Sequence, residues 1–234
     1  MSEAMMPSEM QYAPPPLRLL ARESAAFVYM RLTASFGAAA PIQAHGDGQR
    51  VIIIPGFMAS DRTTARLRRS LNAAGFDAAG WGLGRNKGVT ADIFERLAAK
   101  LEDSSGDAPV TLIGWSLGGL IAREFAKHYP RRVAKVITMG SPFSGGPRAN
   151  NAWRIYELVA GHKVDNPPVS SILHEKPPVP TIAFWSPNDG VVAAASACGK
   201  PEESDRQIEL DCTHMAYIAQ PKAIDAIASA ITEN

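Results

Sequence analysis

The chain is 234 residues long and almost neutral, with 24 Lys and Arg against 23 Asp and Glu. A net charge of +1 lacks the basic excess typical of proteins that bind nucleic acid or an anionic membrane surface. The apolar share of 46% and charged share of 20% are ordinary for a soluble globular protein, and the length suits one domain with a substantial core. Two cysteines and five histidines show no metal-ligand spacing, so we expect neither a metal nor another cofactor.

The N-terminal part divides into a tail and a helix. Residues 1–16 mix methionines, prolines and polar side chains, a composition that predicts a flexible tail. They lack the positive start, apolar run and cleavage site of a signal peptide, so we expect a cytoplasmic protein. Residues 17–36 predict an amphipathic helix, and its charged residues make it too polar to span a bilayer.

Two interpretations of the helix 17–36 remain open. One arc of its helical wheel is apolar and is interrupted by Arg31; it consists of Leu17, Leu20, Phe27, Val28 and Leu32. In the first interpretation the helix packs on the domain. In the second it docks on lipid, as a peripheral membrane contact, or guards the substrate site.

From residue 51 onward, short β-branched runs alternate with amphipathic helical segments. The predicted strands are 51–54, 76–81, 110–113, 133–139, 179–185 and 207–210. The predicted helices are 65–74, 90–101, one after residue 116, 151–160 and one opening at Pro221. Strands that alternate with helices form a mainly parallel sheet covered on both faces. We therefore predict an α/β fold, with residues 17–234 as a single domain.

Residues 114–118 read Gly-Trp-Ser-Leu-Gly and fit the G-x-S-x-G nucleophile elbow. A β-branched run precedes the motif and an amphipathic helical pattern follows it, which is the strand–turn–helix setting that the motif requires. Ser116 is therefore the candidate nucleophile. Because a serine hydroxyl is a poor nucleophile at neutral pH, it needs a base, and the base needs an orienting acid.

Asp189 and His214 are the candidates for acid and base. Each follows a predicted strand, and the order Ser, Asp, His is the one in which such a sheet presents its triad. Asp205 and Asp211 flank the last predicted strand, but neither follows a strand that could present it opposite His214. We predict that Ser116, Asp189 and His214 project from one edge of the sheet.

These segments resemble the α/β-hydrolase family, and within it the bacterial lipase- and esterase-like serine hydrolases. The matching segments are 51–57, 114–119, 140–143, 188–192 and 213–215. The resemblance implies an oxyanion hole formed by the backbone N–H groups of Leu117 and Phe57, with Met58 as a substitute donor for the latter. Pro55 stands where many relatives carry a histidine, which leaves open which N–H points inward.

The resemblance also implies a small cap or lid, which residues 141–178 would form between the sixth and seventh strands of the family sheet. A helix within this stretch carries Trp153, and aromatic side chains there favour an apolar acyl group. The loop 80–88 would lie near the nucleophile. Candidate substrate-binding residues are therefore Met58, Trp81, Leu83 and Trp153.

Cys198 and Cys212 lie near the candidate acid and base. A disulfide between them would tie the two loops together, an arrangement that resembles some secreted bacterial lipases. The missing export signal argues against the bond, since cytosolic thiols stay reduced. Both alternatives remain open.

The resemblance implies a serine hydrolase that cleaves carboxylic esters through an acyl-enzyme on Ser116. Its partner would be a small-molecule ester with an apolar acyl group. Two alternatives remain: an acyltransferase that uses the same triad, and a non-catalytic receptor or binding protein built on the hydrolase fold.

Overall fold

The computed structural model describes residues 12–105, 108–146, 148–165, 168–169 and 171–233. Its centre is a six-stranded sheet in which every strand pairing is parallel. The strands are β1 (Arg50–Ile54), β2 (Asp77–Gly80), β3 (Val110–Trp115), β4 (Val133–Met139), β5 (Thr181–Trp185) and β6 (Arg206–Glu209), in the spatial order β2-β1-β3-β4-β5-β6. The predicted α/β fold with a parallel sheet is confirmed.

The helices cover both faces of the sheet. They are α1 (Leu17–Phe36), α2 (Ala65–Ala73), α3 (Ile93–Ser105), α4 (Leu117–His128), α5 (Trp153–Ala160), α6 (Ala194–Cys198) and α7 (Pro221–Thr232). Alternate residues of β1 lie in two hydrophobic cores, one on each face of the sheet. Val51 and Ile53 pack towards α2 and α7, whereas Ile52 and Ile54 pack towards α3 and α4. Burial on both faces explains why the four inner strands β1, β3, β4 and β5 are mainly apolar, whereas the edge strands β2 and β6 are more exposed.

The register brings the carboxyl ends of five strands to one edge. Ile54 pairs with Gly114, Trp115 pairs with Met139, and Trp185 pairs with Glu209. The loops that leave these strands therefore start side by side. This edge is where parallel α/β sheets place their ligands, and it is where the candidate nucleophile, acid and base all follow a strand.

Helix α1 packs on the domain, but through a different face from the apolar arc. Its buried residues are Glu23, Met30 and Ala34, while the exposed residues of the arc are Leu17, Phe27, Val28 and Leu32. None of the described helices is both long and apolar enough to span a bilayer. The placement thus agrees with the first interpretation, that the helix packs on the domain, although the apolar arc is not the face that packs.

The predicted tail 1–16 is partly outside the described residues, which begin at residue 12. Tyr12 Oη lies 3.2 Å from Ser144 Oγ, and Asn151 Nδ2 donates to Pro15 O at 3.1 Å. Residues 12–16 thus rest on the segment that follows β4, which corrects the tail boundary. Residues 1–11 lie outside the described part of the chain.

The excursion 141–178 connects β4 to β5 and contains α5. A single bridge between Asn150 and Val192 joins its first part to the loop after β5. Its last part is fixed by Arg123 of α4, which is fully buried and donates to the carbonyls of Leu173, His174 and Glu175. Both ends of this cap segment are thereby anchored to the elements around the sheet edge.

Candidate active site

Ser116 lies at the tip of a tight turn between β3 and α4. Its φ of 55° and ψ of −121° are unfavourable for a residue with a side chain, the kind of strain that nucleophile elbows store. The turn needs its glycines: a Cβ on Gly118 would lie 2.2 Å from Ile54 O, and one on Gly114 would lie 2.3 Å from the Cα of Gly119. The Ser116 N–H donates to Met139 O at 2.9 Å, which holds the turn against β4.

Asp189 and His214 form a buried hydrogen-bonded pair. His214 Nδ1 lies 2.7 Å from Asp189 Oδ2, and both residues are 2% exposed. The other oxygen, Asp189 Oδ1, accepts the N–H groups of Val191 and Val192, each at 2.8 Å. With Nδ1 engaged by the carboxylate, Nε2 is the ring nitrogen left for other chemistry.

The same region of the sheet edge holds Ser116 and the Asp189–His214 pair. The ring of Trp115 lies 5.5 Å from that of His214, and its Nε1 donates to His214 O at 3.1 Å. The residue after Trp115 is Ser116. Within the described part of the chain there is no hydrogen bond from Ser116 Oγ to His214, a contact that in many enzymes tightens only with substrate.

The charges around His214 favour the protonated form of its ring. Burial alone favours the neutral ring, but the charge and hydrogen bond of Asp189, with the charge of Glu23, raise the pKa of His214 above its ordinary value of 6.5. Burial, assisted by Asp189, raises the pKa of Tyr217 well above 10.0. Tyr217 therefore stays neutral beside the pair.

Phe57 lies in the loop after β1, and Leu117 comes directly after Ser116. Neither backbone N–H donates a hydrogen bond within the described residues. The Met58 N–H, in contrast, donates to Asn86 O at 2.7 Å. Met58 is therefore not the substitute donor that the sequence left open. Two unengaged N–H groups beside a candidate nucleophile are what an oxyanion hole requires.

A cavity of about 530 Å³ opens beside Ser116. Its floor includes Phe57 and Leu117, and its walls come mainly from the cap segment; the apolar wall residues include Trp153, Tyr156, Val164, Val169, Ile172 and Leu173. The ring centroids of Phe57 and Tyr156 are 5.2 Å apart. The cap segment therefore closes an apolar pocket over the turn that carries Ser116.

Of the four candidate substrate-binding residues, only Trp153 lines this cavity. Trp81 is 2% exposed in the core beneath α3, and its indole N–H donates to Gly84 O at 2.9 Å. Leu83 packs against the same core, and Met58 is exposed away from the cavity lining. Trp81, Leu83 and Met58 therefore do not have the predicted place.

Cys198 and Cys212 are both free and buried, so the disulfide alternative is not realised. Cys212 packs in the core that contains β1 and α7, whereas Cys198 packs in a small separate cluster around Trp185. Burial, with nearby carboxylates, raises the pKa of Cys198 to about 11 and raises that of Cys212 further. Both thiols are protonated at neutral pH.

Two buried polar residues near the site were not identified from the sequence. Asn86 is fully buried; its Nδ2 donates to Pro55 O at 2.7 Å, and its backbone O accepts the Met58 N–H. It thus holds both sides of Phe57. Glu23 is 5% exposed and accepts the N–H of His214 at 2.7 Å. Both residues bond to distant backbone, so no local sequence signal marks them.

The fold agrees with the comparisons to known proteins. The chain belongs to the α/β hydrolase fold family, whose model matches residues 39–165, more than half of the chain. The carboxylesterase CesB (YbfK) from Bacillus subtilis has a TM-score of 0.58 and 14% identity, covering 88% of this chain and 96% of its own. The methylesterase MES16 from Arabidopsis has a TM-score of 0.55 and 16% identity, covering 79% and 99%. At these identities the two structures show the fold alone.

Two curated relatives are similar over shorter stretches. A pimeloyl-(acyl-carrier protein) methyl ester esterase from Photobacterium profundum is 32% identical over 118 residues, 48% of this chain and 44% of the relative. A homoserine O-acetyltransferase from Thermus thermophilus is 44% identical over 54 residues, 23% of this chain and 14% of that enzyme. The matched stretch thus spans less than half of the length of either relative.

Proposed function

We propose that this protein is a serine hydrolase that cleaves carboxylic esters through an acyl-enzyme on Ser116. The observation that carries the proposal is the placement of one strained serine and two unengaged N–H groups against one apolar cavity, with a buried Asp–His pair beside the strand that ends at the serine. Each part has a role in acyl transfer, and the family supplies an esterase precedent.

In the first step Ser116 Oγ attacks the carbonyl carbon of the ester while His214 Nε2 takes the hydroxyl proton. Asp189 holds the imidazole in the required tautomer and stabilises the imidazolium that forms. The oxyanion accepts hydrogen bonds from the N–H groups of Phe57 and Leu117, and losing one such donor typically costs about 3 kcal/mol of barrier.

Collapse of the tetrahedral intermediate breaks the bond to the leaving alcohol, and His214 returns its proton to that oxygen. Water then attacks the acyl-enzyme, His214 takes a proton from the water, and the acid leaves as Ser116 is reprotonated. Every proton taken by His214 is given back, so the cycle needs no cofactor.

The cavity indicates the acyl partner. A volume of about 530 Å³ lies in the range of roughly 300–1,000 Å³ found for small-molecule sites. Because its wall is formed by Trp153, Tyr156 and Ile172, we propose an ester with an apolar acyl chain. The esterase relative named above acts on a methyl ester, which fits a large acyl side and a small alcohol side.

A second candidate is acyl transfer to an alcohol other than water. The observation that favours it is the stretch of 54 residues that is 44% identical to a homoserine O-acetyltransferase. The same triad serves both reactions, and the difference lies in which acceptor reaches the acyl-enzyme.

Labelling with a fluorophosphonate probe tests the proposal directly. We expect the wild-type protein to label stoichiometrically at Ser116 and the Ser116→Ala variant to remain unlabelled. A panel of p-nitrophenyl esters of increasing chain length then ranks acyl groups, with Trp153→Ala expected to lose activity most on the longer ones. A wild-type protein that neither labels nor hydrolyses any ester would favour the non-catalytic binding role.

Mass spectrometry of the products separates the two catalytic candidates. The reaction is run with and without a primary alcohol such as homoserine. Free acid as the product in both reactions supports hydrolysis. A new ester that accumulates at the expense of the acid supports acyl transfer.

A further inference from the structure

Glu23 is a carboxylate of helix α1 that is buried among backbone donors from distant parts of the chain. It is 5% exposed. Its Oε1 accepts the N–H of Gly190 at 2.9 Å and that of His214 at 2.7 Å, and its Oε2 accepts the N–H of Met215 at 3.1 Å. Three backbone N–H groups satisfy this carboxylate, which explains how it tolerates burial.

These donors belong to the two loops that carry the candidate acid and base. Gly190 is the neighbour of Asp189, and the other two N–H groups are those of His214 itself and the next residue. Because Oε1 accepts from both Gly190 and His214, a single oxygen joins the acid loop to the base loop. The loops of Asp189 and His214 are therefore joined twice: by the hydrogen bond between the two side chains, and by Glu23 through their backbone N–H groups.

Helix α1 is itself fixed, so the carboxylate is a rigid support. Arg69 of α2 donates to the carbonyls of Thr33, Ala34 and Gly37 at the end of α1, at distances of 2.8 to 3.0 Å. At its start the helix is pressed against the acid loop, where a Cβ on Gly190 would lie 2.4 Å from Leu19 O. Helix α1 is thus held at its end by α2 and contacts the acid loop at its start.

We propose that Glu23 is a positioning residue, which fixes the Asp189–His214 pair from a helix outside residues 39–165 and supplies a second negative charge to the imidazolium. This inference rests on the proposed serine hydrolase function. It assigns to α1 a role in catalysis that the family match does not cover, since that match begins beyond the helix.

The surroundings of His214 make the charge of Glu23 effective. The carboxylates that act on the ring are those of Asp189 and Glu23, both of which favour the protonated form. The nearby thiol of Cys212 and phenol of Tyr217 are neutral, because their pKa values are raised by burial and by these same carboxylates. Arg22, the residue before Glu23 on α1, is positively charged, but its guanidinium lies at the surface, where it donates to Asn188 Oδ1.

Two substitutions separate charge from support. Glu23→Gln keeps the length of the side chain and one oxygen for Gly190 and His214, but removes the charge and presents an amide group to the N–H of Met215. Glu23→Ala removes all three hydrogen bonds. The matched control is Met30→Ala, which loosens the packing of the same buried face of α1 but removes none of the three hydrogen bonds to Gly190, His214 and Met215.

We expect Glu23→Ala to lower kcat/KM by about 10- to 100-fold, because small displacements of catalytic groups have effects of that size. Glu23→Gln should have a smaller rate effect but should move the acid limb of the pH profile to lower pH, since one charge that stabilises the imidazolium is gone. Met30→Ala should lower Tm while the rate of the folded protein and the position of the acid limb stay unchanged.

Two measurements keep this test independent of the proposed function. Imidazole NMR follows the titration of His214, and amide hydrogen exchange follows Gly190, His214 and Met215. In Glu23→Gln the His214 titration should move to lower pH, and in Glu23→Ala the three amides should exchange faster. If both variants match Met30→Ala in titration and exchange, Glu23 is not a positioning residue. A wild-type protein without labelling or hydrolysis refutes the hydrolase proposal, whatever these two measurements show.

Discussion

Gly140→Ala is the sharpest test of the acid–base contact, because the residue sits against the Asp189–His214 pair. Gly140 has a φ of +54°, and a Cβ there would lie 2.8 Å from Asp189 Oδ2 and 3.0 Å from His214 Nδ1. These are the two atoms joined by the 2.7 Å hydrogen bond. The added methyl would also lie 2.7 Å from Tyr217 Cε2, so the buried ring blocks its retreat.

The expected magnitude follows from these distances. An ordinary carbon–oxygen contact needs about 3.5 Å, so each partner must move by roughly half an ångström or more. Misplacement by about 1 Å can cost 100-fold in rate, and complete loss of the correct histidine tautomer costs about 10,000-fold. We therefore expect kcat/KM to fall by about 100-fold or more, while left-handed backbone strain adds only about 1–2 kcal/mol of destabilisation.

The matched control is Gly48→Ala, in the loop before β1. Gly48 has a φ of +77°, and nothing lies within 4 Å of a Cβ built there. It therefore carries the backbone strain without the contact. Both variants would be assayed for p-nitrophenyl ester hydrolysis at a temperature where denaturation curves show them folded. If Gly140→Ala keeps kcat/KM within threefold of Gly48→Ala, the Asp189–His214 contact does not control the reaction.

Three further predictions concern the pair, the oxyanion loop and the thiols. Because the base must be neutral and the pKa of His214 is raised, kcat/KM should fall as the pH drops through a value above 6.5. Asp189→Asn should move this fall to lower pH and lower kcat by about 10,000-fold; an unchanged pH profile would contradict the assignment of Asp189 as the partner of His214. Asn86→Ala removes the bond to Pro55 O, so denaturation should show a loss of about 1–3 kcal/mol, with kcat falling more than KM rises; a change in KM alone would argue against a role in the oxyanion hole. Cys198 and Cys212 should both be alkylated in unfolded protein without reductant, and should react slowly when folded because burial raises their pKa values; a mass two hydrogens lighter with no alkylation would reveal a disulfide instead.

The order of strands and helices could be predicted because its signals are local. Strands buried on both faces need β-branched and apolar runs, and all six predicted strands are present. Their bounds differ by at most two residues: β4 matches at both ends, whereas β5 begins at Thr181 rather than at residue 179. Pro180 has no N–H for a strand ladder, so the regular pairing starts after it. The triad candidates were visible for the same reason, since each follows a strand and lies in a motif or turn.

The face of α1 could not be predicted, because its burial depends on partners far along the chain. On the wheel Glu23 looks like a solvated charge, and the apolar arc looks like the packing face. The structure buries Glu23 because the N–H groups of Gly190, His214 and Met215, at least 167 residues away, meet its carboxylate. Periodicity reports which side chains share a face, but not which backbone donors will be opposite it.

Arg123 shows how the same limitation extends to the cavity beside Ser116. It looks like an exposed charge on a surface helix, but it is fully buried, and its guanidinium also lies 4.1 Å over the ring of Phe143. Burial lowers its pKa only to about 10, so the group stays charged at neutral pH.

This buried charge joins the pocket to the nucleophile. Arg123 binds the carbonyls at the end of the cap segment, including that of Leu173, and Leu173 lines the cavity. The helix that carries Arg123 begins at Leu117, directly after Ser116. Leu173 of the cavity wall and Ser116 are thus both tied to α4, so in the proposed hydrolase this helix would set the position of an acyl chain relative to Ser116 Oγ. Loosening Arg123 should therefore weaken the preference for one acyl chain length, measured with the p-nitrophenyl ester panel, before it affects the triad.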